Sequence, residues 1–340
     1  MLKQAMKRQA QTLAASIAPR LWRFRHQQLL VLMYHRILPA DDARAAAVQP
    51  GMIVHPATLR MQLRLLKSHF EIVPLEDWVE RAVMGRALPD RACALTFDDG
   101  WRDNFEHAYP ALVDEQVPAT IFVVSDMVGT NQSFWPERLI DLLRCGITGH
   151  GPGVFNLPAF AWLRELDVPL PSAVEDLSID RLDALIMRAK RHPDATLHER
   201  LDHMADALTF DEYRRDLALM DWDQLGEMVG SGLITVGSHT RRHTRLLPHV
   251  ESDTLYNEIV GSKVIIEERL GCAVRLFCYP NGDASPEAKA LVARHYLGAC
   301  STIHGWHRRD AGIHMIRRIG VHQDIAYDET SFLARLSGWL

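Results

Sequence analysis

The sequence predicts an α/β protein in which parallel strands alternate with helices, forming either an α/β barrel or an open doubly wound sheet. Two observations carry this. Short apolar runs of strand length recur along the chain, and longer segments of helical period separate them, which is the pattern that right-handed crossovers between parallel strands require. The 340-residue length can supply a sizeable core, and 47% hydrophobic with 24% charged residues is the balance of a folded globular chain.

In chain order, LLVLMYH (29–35) reads as a buried strand, and HPATLRMQLRLLKSHF (55–70) as a helix with Leu59, Leu63 and Leu66 on one face. CALTF (93–97) is the next strand, followed by the helix-like WRDNFEHAYPALVDEQ; ATIFVVS (119–125), bounded by Pro118, is another. LITVGSH (233–239) follows an amphipathic segment containing Trp222, Leu225 and Val229. VRLFCYP (274–280) follows LYNEIVGSKVIIEERLG, a helix with Gly271 as its stop, and YLGACS and IRRIGV are further short strands. Residues 126–220 break this rhythm: a turn-rich stretch precedes two helical pieces divided around Pro193. The expected division is a basic N-terminal helical segment (1–28), a main domain (29–125 and 221–340) and a helical insertion (126–220). That insertion could be a lid over the substrate or only a packed appendage.

A net charge of −5 disfavours nucleic acid, because phosphate binding relies on a basic face. Cys93, Cys145, Cys272, Cys278 and Cys300 are odd in number, scattered and without a C-x-x-C, so free thiols in a reducing compartment are expected. The first apolar stretch is interrupted by Gln, Arg and His, so neither a cleaved signal nor a membrane span is expected, and the cytoplasm is the expected location. Lys3, Lys7, Arg8, Arg20, Arg23 and Arg25, set among Leu, Ile and Trp, could lay a helix on an anionic membrane surface; a solvated helix packed by one face is the commoner use of such a pattern.

Three features fall at the C-terminal ends of strands, where side chains of an α/β fold converge. CALTF runs into Asp98 and Asp99, LITVG into His239 and His243, and LFCYP into the Asn281-Gly282 turn. Adjacent carboxylates repel and are costly to desolvate, so they need a cation, a proton or water. Two histidines four apart can share a divalent ion, and a carboxylate from another strand completes a three-ligand set with open positions. With Asp99 as a ligand, Asp98 can serve as base toward the attacking water. Alone, Asp-Asp-Gly is usually a turn and His-x-x-x-His usually a coincidence in a chain with 17 histidines. Thr240, where a zinc protease carries Glu, excludes that motif.

LTFDDGWRDN, PATIFVVSDMVG, SHTRRHTRL and RLFCYPNGD, in that order, resemble the motifs of the polysaccharide deacetylases, carbohydrate esterase family 4. VLMYHRI before them resembles the branch whose His motif stands at the N-terminus. The resemblance covers roughly 29–125 and 220–320 and leaves the insertion unexplained. It implies a distorted (β/α) barrel of about seven strands and metal-dependent removal of an N-acetyl group from an amino sugar such as N-acetylglucosamine, in a polysaccharide, oligosaccharide or lipid-linked glycan. It further implies Asp98 as base, Asp99, His239 and His243 as metal ligands, and His35 as the acid for the departing amine. The family's third motif commonly carries an Arg where Cys278 stands, so the partner of Asp98 must come from elsewhere; Arg318 is the expected substitute, ahead of Arg317. The backbone N–H of Asn281 or Gly282 would serve the oxyanion, and Tyr279 or Trp101 would wall the acetyl group or sugar face, unless those rings are ordinary core. One divalent ion, zinc by preference, with Co, Mn, Ni or Fe able to use the same donors, is expected. An amidohydrolase acting on a formamide or cyclic amide, or a non-catalytic carbohydrate-binding protein, are the alternatives.

Overall fold

A computed structural model describes residues 2–22, 27–49, 51–210 and 218–338; Arg23, Arg25 and the side chains of Lys3 and Lys7 lie outside the described part. Seven parallel strands form its centre: β1 (Gln28–Tyr34), β2 (Arg91–Phe97), β3 (Ala119–Val123), β4 (Ile234–Ser238), β5 (Leu276–Cys278), β6 (Gly298–His304) and β7 (Ile316–Gly320). β7 pairs back onto β1 and β1 onto β2, so the sheet closes. The barrel therefore replaces the open-sheet alternative. β1 and β2 run in register over seven residues, from Gln28 beside Arg91 to Tyr34 beside Phe97. Two pairs too short to be legible in the sequence extend the sheet, Glu71–Ile72 on β2 and His307–Arg308 on β1.

Alternation along each strand sorts side chains into two layers. Leu29, Val31, Ala92, Ala94, Phe122, Leu276, Cys278, Cys300 and Ile316 fill the interior, together with Trp78 and Val79 from the helix Leu75–Val83. Leu30, Leu32, Cys93, Leu95 and Phe97 face outward onto Leu59, Leu63 and Leu66 of the helix Pro56–His69. One glycine is dictated by this packing: a Cβ on Gly237 would lie 2.5 Å from the Phe122 ring. The segment after β2 departs from a simple helix, since a π-turn over Asn104–Ala108 precedes the α-helix Tyr109–Glu115, which carries a proline at its start.

The N-terminal helix Leu2–Trp22 buries Ala14, Ala15, Ala18 and Trp22, with Ala14 and Ala15 against Ala334 of the last helix and Trp22 against Phe70 and Trp306. Among the described residues, no helix is long and apolar enough to cross a membrane.

The chain divides into two compact units, one of Met1–Ala40, Ile53–Thr130 and Leu219–Leu340, the other of Asp41–Met52 and Asn131–Ala218. The second unit has its own core of Leu139, Leu143, Phe160, Leu185, Leu197 and Leu201. Its helices include Trp135–His150, Ile179–Ala189 and Asp194–Leu208, the last two separated by the turn that ends in Pro193. Nothing in the sequence pattern singled out 41–52 as belonging with this unit.

Candidate active site

The alternation that turns Ala94 and Thr96 into the barrel carries Asp98 to the same face at its C-terminal mouth, and the Asp98 N–H continues the ladder to the Tyr34 carbonyl. Asp99 and Gly100 then both take left-handed backbone angles, φ 77° and 81°. The adjacent carboxylates have different partners, Arg318 for Asp98 and His239, His243 and Trp101 for Asp99.

Asp98 meets Arg318. Nη1 donates to Oδ1 at 2.7 Å and Nη2 to Oδ2 at 2.8 Å, a two-pronged pair in which Arg318 is 1% exposed. The guanidinium is itself held by Thr96 Oγ1 (3.0 Å), the Ser301 carbonyl (2.9 Å) and Cys278 Sγ (3.1 Å). The small Cys278 side chain leaves room for an arginine reaching in from β7. Burial alone would raise the Asp98 pKa, and Arg318 overcomes it, holding the carboxyl below its usual range. Arg317, one residue away, points outward and donates to the His304 carbonyl. Strand alternation alone separates the two arginines, since Ile316 and Arg318 share the buried face.

Asp99 meets two imidazoles and an indole. Its Oδ1 lies 3.4 Å from His239 Nε2 and 3.5 Å from His243 Nε2, while Trp101 Nε1 donates to Oδ2 at 2.9 Å. His239 leaves β4 with its backbone N–H on the Val123 carbonyl and its Nδ1 on the Cys278 carbonyl at 2.8 Å. A carbonyl only accepts, so Nδ1 carries a proton, and Nε2 is the ring nitrogen on the Asp99 side that could serve an ion. His243 takes φ 61°, which brings its ring to 4.9 Å from that of His239.

The donors of Asp99, His239 and His243 all lie within 4.8 Å of one another, a set of one carboxylate and two imidazoles that suits a divalent ion. The donor chemistry fits: Asp98 has a guanidinium to balance it, whereas Asp99 faces only imidazoles and an indole N–H among the described contacts. Asp98, His239 and Cys278 also converge, but Asp98 is committed to Arg318 and burial pushes the Cys278 thiol pKa well up, so that trio is the poorer site.

His35 follows β1 directly, with Nε2 3.9 Å from Asp98 Oδ2, outside hydrogen-bond range. Its placement depends on residues the sequence reading missed. Asn104 Nδ2 donates to the His35 carbonyl at 2.8 Å, and Asp103 accepts from the Ile37 N–H at 2.7 Å and from Arg36 Nε at 2.8 Å. Arg36 in turn lies 4.1 Å over the Trp101 ring. The Arg-Asp-Asn run after Trp101, together with an arginine next to His35, was the signal that could have found them.

Three expected substrate contacts are not formed as read. Tyr279 is fully buried, packed against Phe277 in the layer outside the barrel, so it offers no wall to a substrate. Trp101 is 1% exposed and is spent on Asp99 and Arg36. The Gly282 N–H already donates to the Tyr279 carbonyl at 2.9 Å, so it is spent within the turn. Gly282 is required for another reason: φ is 78° and a Cβ there would sit 2.1 Å from Thr302 Oγ1.

Residues 85–153 and 188–298 match the family model for polysaccharide deacetylases, more than half of the chain. The chain belongs to the polysaccharide deacetylase family. Among curated relatives, the poly-beta-1,6-N-acetyl-D-glucosamine N-deacetylase of Staphylococcus aureus is 26% identical over 120 residues, 33% of this chain and 41% of that protein. The chain spans less than half the length of the first curated relatives it matches. The solved Streptococcus pyogenes deacetylase PplD aligns over 92% of this chain and 99% of its own at a TM-score of 0.58 and 17% identity. IcaB from Ammonifex degensii aligns over 91% of this chain and 97% of its own at a TM-score of 0.57 and 19% identity. These two likenesses bear on the fold alone.

Proposed function

We propose that this polysaccharide deacetylase family member hydrolyses the N-acetyl group of an amino sugar within a glycan, with one divalent ion held by Asp99, His239 and His243. The observation that carries this is the convergence of those three donors beside an arginine-paired carboxylate and a histidine. When bound, the ion would supply Lewis acidity toward the acetamide carbonyl and would make nearby water easier to deprotonate. Zinc suits two imidazoles and one carboxylate, and Co, Mn, Ni or Fe could use the same donors. The Staphylococcus aureus relative is named for poly-beta-1,6-N-acetyl-D-glucosamine, which supports an N-acetylglucosamine glycan as the substrate class.

In this reading Asp98, kept ionised by Arg318, accepts a proton from the attacking water as oxygen adds to the carbonyl carbon. The Asn281 N–H stabilises the oxyanion that forms. His35 then protonates the sugar nitrogen as the C–N bond breaks, and acetate and a free amine leave. A cytoplasmic location is part of the proposal, and fractionation that recovers the protein wholly outside the cytoplasmic membrane would overturn it. Acetate release from a panel of N-acetylhexosamine oligomers and lipid-linked sugars tests the activity; a panel without acetate release would contradict it.

His35→Ala should lower turnover by about 10²–10⁴-fold, the usual worth of a positioned acid, while metal content stays at the wild-type level. Steady-state kinetics alongside elemental analysis checks this, and near-normal turnover would remove His35 from the role.

A further inference from the structure

We infer that Glu258 is a positioning residue that sets the spacing of the two histidine ligands; this rests on the metal-site reading above. Only Thr240, Arg241 and Arg242 separate His239 from His243, and the turn they make takes left-handed angles at Thr240 (φ 67°) and His243 (φ 61°). Non-glycine residues adopt that region uncommonly, and a Thr with its branched Cβ is a genuine outlier there, so the turn must be held from outside.

Glu258 does the holding from a distant segment. It is 5% exposed and stands in a π-turn, Asn257–Gly261, and its Oε2 accepts both the Arg241 N–H (2.9 Å) and the Arg242 N–H (3.0 Å). One carboxylate oxygen thus fixes two successive peptides midway between the ligands. Further bonds complete the clamp. The Thr240 carbonyl accepts from the Ser125 N–H (3.2 Å) and Ser262 Oγ (3.1 Å), and Asp126 accepts from the Nε of Arg241 (2.9 Å) and of Arg242 (3.2 Å). Glu258 reaches the metal donors only through this backbone, so it has no part in the proton transfers.

The test uses the full chain stripped of metal, with zinc affinity measured by chelator competition and the visible spectrum recorded on adding Co(II). Glu258→Ala and Glu258→Asp, whose carboxylate is withdrawn by one methylene, should bind zinc about 10–100-fold more weakly and show an altered Co(II) spectrum. Glu258→Gln, whose amide oxygen can accept the same two N–H groups, should stay within about threefold of wild type and keep its spectrum. Should the alanine variant fail to fold, the Asp and Gln variants carry the comparison. Unchanged affinity and spectrum in Glu258→Asp, or Glu258→Gln as weak as Glu258→Asp, would overturn the inference while leaving the metal site intact. A wild-type chain that binds neither zinc nor Co(II) would overturn both together.

Discussion

Arg318→Met should destabilise the metal-stripped protein by about 3–5 kcal/mol at neutral pH, because it leaves a buried carboxylate without its partner. The pair is nearly sealed from water, with the two side chains 0% and 4% exposed, so solvent does not stand in for the lost guanidinium. The pH dependence should separate this cause from simple loss of packing. In the wild type, burial pushes the Asp98 pKa up and Arg318 pulls it below the ordinary value, so its contribution is present above the unfolded pKa of about 3.9 and is lost as pH falls through the folded value. In the variant burial, the largest influence, is opposed only by His239 and His35, so the folded pKa should rise above the unfolded one, with stability retained at low pH and lost as pH rises. The gap between the two proteins should therefore narrow on acidification. Denaturant unfolding at pH 5 and pH 7.5 checks this, and a gap below about 1 kcal/mol, or one independent of pH, would contradict it.

Asp98→Asn should lower turnover by about 10²–10⁴-fold, since the amide cannot take the proton from water. Its zinc content should match wild type, because Asp98 is tied to Arg318 and stands outside the Asp99, His239 and His243 set. The informative comparison is with Asp99→Asn, which should lose affinity for the ion. Metal loss in the first variant and retention in the second would exchange the two carboxylates' roles. The left-handed backbone at Asp99 makes this division physical, since it aims two sequence neighbours at separate partners.

Much of the site was legible because its residues sit at strand ends. An apolar run that stops at Asp98, another that stops at His239 and a third that stops before Gly282 announce a barrel mouth, and strand alternation selects Arg318 over Arg317. The supporting network was not legible, because it depends on contacts between segments distant in sequence. Glu258 touches the histidine turn from a segment that the sequence presents only as a helix stopped by Gly271, and Asp103 and Asn104 hold His35 from about 70 residues away. The sequence left the aromatic residues between substrate wall and core for a related reason. Tyr279 and Trp101 adjoin the motifs in sequence, yet alternation turns Tyr279 to the outer layer, and Trp101 is consumed by Asp99 and Arg36. The association of 41–52 with the unit Asn131–Ala218 has no local signal either.

The central claim is that Asp99, His239 and His243 hold one ion. Anomalous diffraction above the zinc edge, from crystals of the zinc-loaded protein, tests it most directly. One peak at about 2.0–2.2 Å from an Asp99 oxygen and from the Nε2 of both histidines is the expected result. A peak on Asp98, His239 and Cys278, or no peak at the barrel mouth in protein that releases acetate, would contradict it.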